Sequence, residues 1–185
     1  GPNMYAVVKH VLLPAQRAAG GMSWALMRHS RGLPVDFFVT HAWSEGFFEF
    51  HRKVKASWPS GMRHMWFCCT ALPQAWAAEE LQALLAGDSG HSPLVDSPFA
   101  KALRTAKLML VVPNSSTSIY SRLWCVAEVK VAVECGLRIK VATDLEADAT
   151  ADEDDAFGKA SENEPPQPRT AGGHPSVSYT HLRAH

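Results

Sequence analysis

The chain has 185 residues, of which 46% are hydrophobic, so its composition fits one globular domain and excludes a wholly disordered protein. Its formal net charge is zero, yet residues 1–143 hold fifteen Lys/Arg against nine Asp/Glu, and residues 144–185 hold three against nine. A mildly basic globular part suits a phosphate-bearing small molecule as well as nucleic acid, and ordinary solubility charge explains it equally well.

The four cysteines are Cys68, Cys69, Cys125 and Cys135. Their spacing matches neither the disulfide framework of a small secreted protein nor a zinc finger, so we expect buried thiols in a reducing compartment and no metal. The N-terminus lacks the pattern of a secretory signal, and no run reaches the roughly 18 apolar residues of a membrane span. These features predict a cytoplasmic protein without a membrane span.

The first predicted elements lie in the N-terminal half of the chain. Residues 1–34 are interpreted as a partly ordered lead-in, because glycines and a polar stretch interrupt a short helix or strand over residues 4–13. Residues 35–40 are aromatic and β-branched, as in a buried parallel strand. Ser44 is placed to cap a helix over residues 45–58, and a second apolar strand follows at residues 64–70.

The remaining elements continue the alternation of helices and strands. We predict helices at 73–87, 98–105 and 122–135, and strands at 107–112 and 138–142. Pro98 suits the first position of its helix, Ser121 is placed to cap the last helix, and Gly136 to end it.

Strands that alternate with helices across short loops predict a parallel sheet covered on both faces. We therefore expect an α/β, flavodoxin-like, three-layer domain over residues 35–143. Ligands in this architecture bind beyond the C-terminal ends of the strands. In this chain that edge comprises residues 40–44, 70–74 and 113–118, with the start of the helix that follows Ser121.

The C-terminal residues have a different character. Residues 144–176 are rich in acidic residues, Ala, Pro and Gly, and we expect an acidic disordered linker there. Residues 177–185 read Val-Ser-Tyr-Thr-His-Leu-Arg-Ala-His, which resembles the translation of a transposase adapter used in short-read library preparation. We expect these nine residues to be an artefact that replaces the true C-terminus.

Glu128 is the candidate catalytic residue. It falls on the same side of its predicted helix as Trp124, Val131 and Ala132, away from the solvated pair Lys130 and Glu134. A carboxylate on an apolar helix face is costly unless it is paired or functional. One reading is a structural Glu paired with an arginine or backbone donors. The other is a carboxylate held ready at the cleft.

Two blocks resemble Toll/interleukin-1 receptor (TIR) domains. Val-Asp-Phe-Phe-Val-Thr-His at 35–41 resembles the opening strand, and Ser-Arg-Leu-Trp-Cys-Val-Ala-Glu at 121–128 resembles the late helix with its Trp-x-x-x-Glu. The stretch 97–103, followed by residues 107–112 and the helix after Ser121, resembles the divergent TIR-like domains of protists and algae. The resemblance spans about 110 residues. It departs from the family at residues 66–73 and at residues 40–44. The family's last helix, expected after residue 142, is either absent or lost with the truncated C-terminus.

The resemblance implies cleavage of the nicotinamide–ribose bond of NAD, in signalling or defence, with Glu128 as the catalytic carboxylate. NAD would be the substrate, and no cofactor is expected. Candidate substrate-binding residues lie at strand ends or on the same helix: Thr40, His41, Trp43, Ser118, Arg122 and Trp124. Enzymes of the family assemble to complete the site. Homotypic TIR–TIR association is therefore expected whether the protein is an enzyme or only an interaction module.

A rival reading is a non-catalytic TIR-type interaction module, and a remoter one is a nucleoside-cleaving relative that also uses an inward Glu. No glycine-rich phosphate loop supports a dehydrogenase or a nucleoside triphosphatase. Cys125 is interpreted as a buried thiol rather than a nucleophile. No basic stripe interleaved with aromatics is present, so nucleic-acid binding is not expected.

Overall fold

The computed structural model describes residues 1–74, 97–115 and 117–144. Four strands form one parallel sheet: β1 (Phe37–His41), β2 (Met65–Trp66), β3 (Leu108–Val112) and β4 (Arg138–Val141). Their spatial order is β2-β1-β3-β4, with Phe37 opposite Leu108 and Leu108 opposite Arg138. This confirms the predicted α/β fold, and the order 2-1-3-4 is that of a flavodoxin-like sheet.

Helices cover both faces of the sheet, and the two central strands are accordingly buried at every position. The side chains of Phe38, Met109 and Val111 pack with α6 (Pro98–Thr105) and α7 (Leu123–Glu134). The alternate side chains of the same strands point to the other face, where they pack with α4 (Phe47–Ala56) and the N-terminal helices. The result is a three-layer domain with two separate cores.

The N-terminal residues belong to the domain and are not a partly ordered lead-in. Consecutive helical segments run through α1 (Met4–Val7), a π-helical turn (Val8–Leu12) and α2 (Leu13–Ala18), followed by α3 (Trp24–Arg28). Met4, Val8 and Leu12 recur at every fourth position and are buried against the sheet face that carries Phe37. The sequence did not indicate this because glycines and polar residues dilute the pattern after Leu12.

Three local predictions are wrong. β2 ends at Trp66, and α5 (Cys68–Ala71) then turns the chain away from the sheet. The N-cap of α4 is Gly46, which has no side chain to cap the helix, and not the predicted Ser44. Ser121 lies in a 3₁₀ turn (Ile119–Ser121), and its hydroxyl bonds to the carbonyl of Ser118 at 2.6 Å rather than capping α7.

Other predicted boundaries hold. Pro98 occupies the first turn of α6 behind the N-cap Ser97, and Gly136 follows α7 with φ of 65°. The helix predicted over 73–87 and the C-terminal predictions for 144–176 and 177–185 lie almost entirely outside the described residues. Among the helices of the described ranges, none combines the length and apolar character that crossing a membrane would need.

Candidate functional site

The candidate site lies at the C-terminal edge of the sheet, where β1 and β3 are neighbours. The chain runs from β1 outward to β2 on one side, and from β3 outward to β4 on the other side. Such a reversal of strand order leaves a crevice in which open α/β sheets bind their ligands. Hydrogen bonds across this edge join the loops, including Ser44 Oγ to Thr117 Oγ1 at 3.1 Å.

Glu128 and Thr40 meet at this edge as a buried pair. The Thr40 hydroxyl donates to Glu128 Oε2 at 2.5 Å, and the two residues are 1% and 8% exposed. Thr40 comes from the penultimate position of β1, and Glu128 from the second turn of α7, which packs on that strand. The predicted inward orientation of Glu128 is confirmed. Its partner is a hydroxyl, not the arginine or backbone donors of the structural reading.

The electrostatic environment favours the protonated form of Glu128. Burial raises the pKa of this carboxyl to about 8, against the opposing effect of the Thr40 hydrogen bond. Cys68 raises the pKa further, and His41 and Arg122 lower it. A pKa displaced this far in a crevice is typical of functional acids, because it brings the proton exchange close to neutral pH.

A second cluster of ionisable groups lies beside this pair, around His41. His41 Nδ1 lies 2.6 Å from Glu45 Oε1, and both side chains are almost completely buried. The other ring nitrogen, Nε2, lies 3.8 Å from Cys68 Sγ and 3.8 Å from Cys69 Sγ. The two sulfurs are 3.9 Å apart. Thr40 and His41 are successive strand residues, so their side chains reach opposite faces of the sheet.

The charges in this thiol–imidazole cluster (His41, Cys68 and Cys69) depend on one another. Burial lowers the pKa of His41, but hydrogen bonds to Cys68 and Glu45 outweigh it and raise that pKa to about 9. Hydrogen bonding from Cys69, and then His41, lowers the pKa of Cys68 well below its ordinary value despite burial. Burial and the neighbouring Cys68 raise the pKa of Cys69. The opposite directions of the His41 and Cys68 pKa shifts are those of an imidazole and a thiol that stabilise each other's charged form.

Trp43 and Arg122 connect this cluster to the N-terminal helices. The Trp43 indole donates to Cys68 Sγ at 3.3 Å, and its ring meets the edge of Tyr5 at 5.3 Å. Arg122 donates to the hydroxyl of Tyr5 at 3.1 Å. Both predicted substrate-binding residues therefore lie at the edge, where the indole N–H of Trp43 and one guanidinium nitrogen of Arg122 already bond to protein groups.

The two other predicted substrate-binding residues lie towards the surface. Trp124 is 38% exposed and stacks on Phe99 with the ring centres 5.7 Å apart. Ser118 is exposed, and its hydroxyl accepts from the backbone of Tyr120 at 3.3 Å. The structure thus brings Thr40 to Glu128, gathers His41 and Trp43 into the neighbouring cluster, and leaves Ser118 and Trp124 peripheral.

Sequence reasoning missed Glu45, Cys68 and Cys69. The predicted strand over 64–70 would place adjacent cysteines on opposite faces, whereas the early end of β2 lets both thiols turn towards His41. An available signal was the position of Cys68 and Cys69 at the end of the strand next to β1. The expectation of four buried thiols is also wrong, since Cys135, the C-cap of α7, is exposed and Cys68 is only partly buried.

Comparisons with known proteins give no family for this chain. No family model matches it, and no curated protein or solved structure shows a significant match. The functional argument accordingly depends on the chain's own residues and on the geometry of this edge.

Proposed function

We propose that this protein is a TIR-type NAD glycohydrolase with Glu128 as its catalytic carboxylate. The observation that carries the proposal is the buried Glu128–Thr40 pair at the strand-order reversal of a parallel sheet. An acid in that position lies where proteins of this fold class bind nucleotides. Burial of a carboxyl group is unfavourable unless the group is paired or has a function.

The chemistry needs one carboxylate. Nicotinamide leaves as a neutral molecule, so no proton has to be delivered to it, and the ribose C1′ gains positive charge as the bond breaks. Ionised Glu128 would stabilise that charge, and water would then attack C1′ to give ADP-ribose and a released proton. The Thr40 hydroxyl, which bonds to the carboxyl, would orient it towards C1′.

The raised pKa of Glu128 gives this mechanism a characteristic pH dependence. With a pKa of about 8, most free protein carries a neutral carboxyl near neutral pH, and only the ionised fraction would be active. We expect kcat/KM for NAD to rise with pH and to level off above about 8, since this parameter reports the free enzyme. A profile that is flat from pH 6 to 9 would contradict Glu128 as the group that must ionise.

The direct test compares NAD consumption by the full chain with that of Glu128→Gln, at high protein concentration to allow assembly. The substitution keeps the size and hydrogen-bonding capacity of the side chain but removes its charge. We expect turnover to fall by about 100-fold or more. Glu134→Gln, an exposed change on the same helix, is the matched control and should leave turnover unchanged. Equal rates for both variants would refute the assignment.

The second candidate function, a non-catalytic association module, is favoured by the outer surface of α7. Leu123, Val126 and Val133 recur along one side of this helix and are 82%, 43% and 63% exposed. Apolar residues that line one side of a surface helix are typical of protein–protein contact. We propose homotypic association through this stripe, a feature that both candidate functions share.

The size of the full chain in solution tests this association. We expect a concentration-dependent oligomer by light scattering, and Leu123→Glu combined with Val126→Glu should return it to a monomer. Val11→Glu, at another exposed apolar position, is the control and should keep the oligomer. An oligomer without NAD turnover would favour the module over the enzyme, whereas a monomer at every concentration would exclude homotypic association.

A further inference from the structure

The thiol–imidazole cluster has the dimensions of a metal site. A tetrahedral Zn²⁺ with Zn–S distances of about 2.3 Å and a Zn–N distance of about 2.0–2.1 Å separates two sulfurs by about 3.8 Å and a sulfur from a nitrogen by about 3.5 Å. The corresponding separations here are 3.9 Å for Cys68 Sγ to Cys69 Sγ and 3.8 Å for each sulfur to His41 Nε2. Shifts of a few tenths of an ångström would bring all three atoms to bonding distance of one ion.

The orientation of His41 also matches that of a metal ligand. Metal-binding histidines donate the N–H that is not used for the metal to a carboxylate or carbonyl, which fixes the ring and its tautomer. His41 Nδ1 has this partner in Glu45 Oε1 at 2.6 Å, and Glu45 is fully buried. Nε2 is thereby directed at the two sulfurs.

The surroundings of the two sulfurs also favour metal binding. Trp43 Nε1 donates to Cys68 Sγ at 3.3 Å, and such a bond stabilises a thiolate. The sulfur separation is far longer than the roughly 2.05 Å of a disulfide, so the two thiols are free to bind an ion. Among the described residues, these three form the group whose ligand atoms converge as a metal would require.

We infer that His41, Cys68 and Cys69 bind Zn²⁺ through one nitrogen and two sulfurs, with Glu45 orienting the histidine. Two thiolates and an imidazole favour Zn²⁺ over hard cations such as Mg²⁺ and Ca²⁺, which prefer oxygen. Three protein ligands leave the fourth tetrahedral position for water or another small ligand. The site uses neither Glu128 nor Thr40, so metal binding can be tested whether or not the protein hydrolyses NAD.

Cobalt is the probe that reports the ligands directly. The full chain, reduced with a non-thiol reductant and freed of metal, is titrated with Co²⁺. We expect a sulfur-to-cobalt charge-transfer band that saturates at one equivalent and disappears when Zn²⁺ is added. Cys68→Ser and Cys69→Ser should each lose most of the band, whereas the matched control Cys135→Ser, which removes an exposed thiol elsewhere, should keep it. Glu45→Gln should weaken binding by about 10- to 100-fold.

A second measurement covers the case in which the cysteine variants fail to fold. In the unaltered chain, Zn²⁺ should slow the alkylation of Cys68 and Cys69, mapped by mass spectrometry, and leave the alkylation of Cys135 unchanged. No thiolate band, a band that persists in both serine variants, or equal alkylation with and without Zn²⁺ would overturn the inference. Binding of Cu⁺ without Co²⁺ or Zn²⁺ would overturn it too, in favour of a monovalent site.

Discussion

At the scale of single residues, the burial of Glu128 carries a free-energy cost that must be offset. Its carboxyl is 8% exposed, and its partner is a single hydroxyl on the adjacent strand. A charged carboxylate in such surroundings is unfavourable, so the folded protein retains a proton that the unfolded chain releases. Stability and ionisation are therefore linked at this residue.

The linkage predicts how stability depends on pH. Since the pKa of Glu128 is raised from 4.5 to about 8, its contribution is fully present below 4.5 and is lost as the pH rises to about 8. Across that window the free energy of unfolding should fall by up to roughly 1.4 kcal/mol per pH unit relative to Glu128→Gln. Denaturant unfolding of both proteins at several pH values measures the difference. Parallel pH dependences would show that Glu128 does not titrate with a raised pKa.

Thr40 supplies a second prediction at this scale. Thr40→Val keeps the shape of the side chain but leaves the buried carboxyl without its donor, which costs about 1–3 kcal/mol of stability. Because the hydroxyl bond lowers the pKa of Glu128, its loss should also move the pH dependence described above to higher pH. Thr105→Val, which removes a hydroxyl in the last turn of α6, is the comparison and should leave that pH dependence unchanged. An unchanged pH dependence in Thr40→Val would count against the pair.

Among the elements, α6 and α7 set the position of the site, because they pack together on the sheet face that carries Thr40, and α7 itself carries Glu128. They begin differently. The Ser97 hydroxyl accepts from the backbone N–H of Ala100 at 3.2 Å, whereas Arg122, which precedes α7, makes no side-chain cap. Ser121 is the residue near the start of α7 that the sequence suggests as a cap. In the structure its hydroxyl bonds within the preceding 3₁₀ turn instead.

The two serines should therefore respond differently to substitution. Ser97→Ala removes a true N-cap and should lower the free energy of unfolding by about 1 kcal/mol. Ser121→Ala removes an exposed hydroxyl outside the helix and should change it by less than about 0.5 kcal/mol. Denaturant unfolding of the two variants under one condition makes the comparison. The reverse order would restore Ser121 as the helix cap.

In the whole molecule, the N-terminal helices complete the second core. Met4 is 1% exposed among residues that include Phe37 and Leu110, so the opening helix is continuous with the central strands. Its backbone also joins the candidate edge, since Met4 N donates to the carbonyl of Trp43 at 3.1 Å. The domain therefore includes residues that the sequence pattern placed outside it.

This packing predicts that a substitution in the first helix lowers the stability of the whole domain. Met4→Ala leaves a cavity in a core shared with both central strands and should cost about 2–5 kcal/mol of global stability. Val11→Ala, on the exposed side of the same helical segment, should cost less than about 0.5 kcal/mol. Thermal and denaturant unfolding measure both. A small loss for Met4→Ala would mean that the N-terminal helices are not part of the cooperative unit.

The sequence by itself determined the class of fold and the position of one acid. Apolar runs such as Leu108–Val112 identify buried strands because a parallel strand is covered on both faces, and helical periodicity placed Glu128 on the inward side. Pro98 and Gly136 marked helix ends because their backbone preferences are local. Each of these predictions depends on residues close together in the chain.

Only the tertiary structure decided what those residues contact. Thr40 is 88 positions from Glu128, and His41 is 27 from Cys68, so no local pattern encodes either contact. The thiol–imidazole cluster exists because β2 stops after two residues and turns both cysteines towards the neighbouring strand, an outcome set by packing rather than by propensity. Fold class follows from local periodicity, whereas the chemistry of the site follows from contacts between residues far apart in the chain.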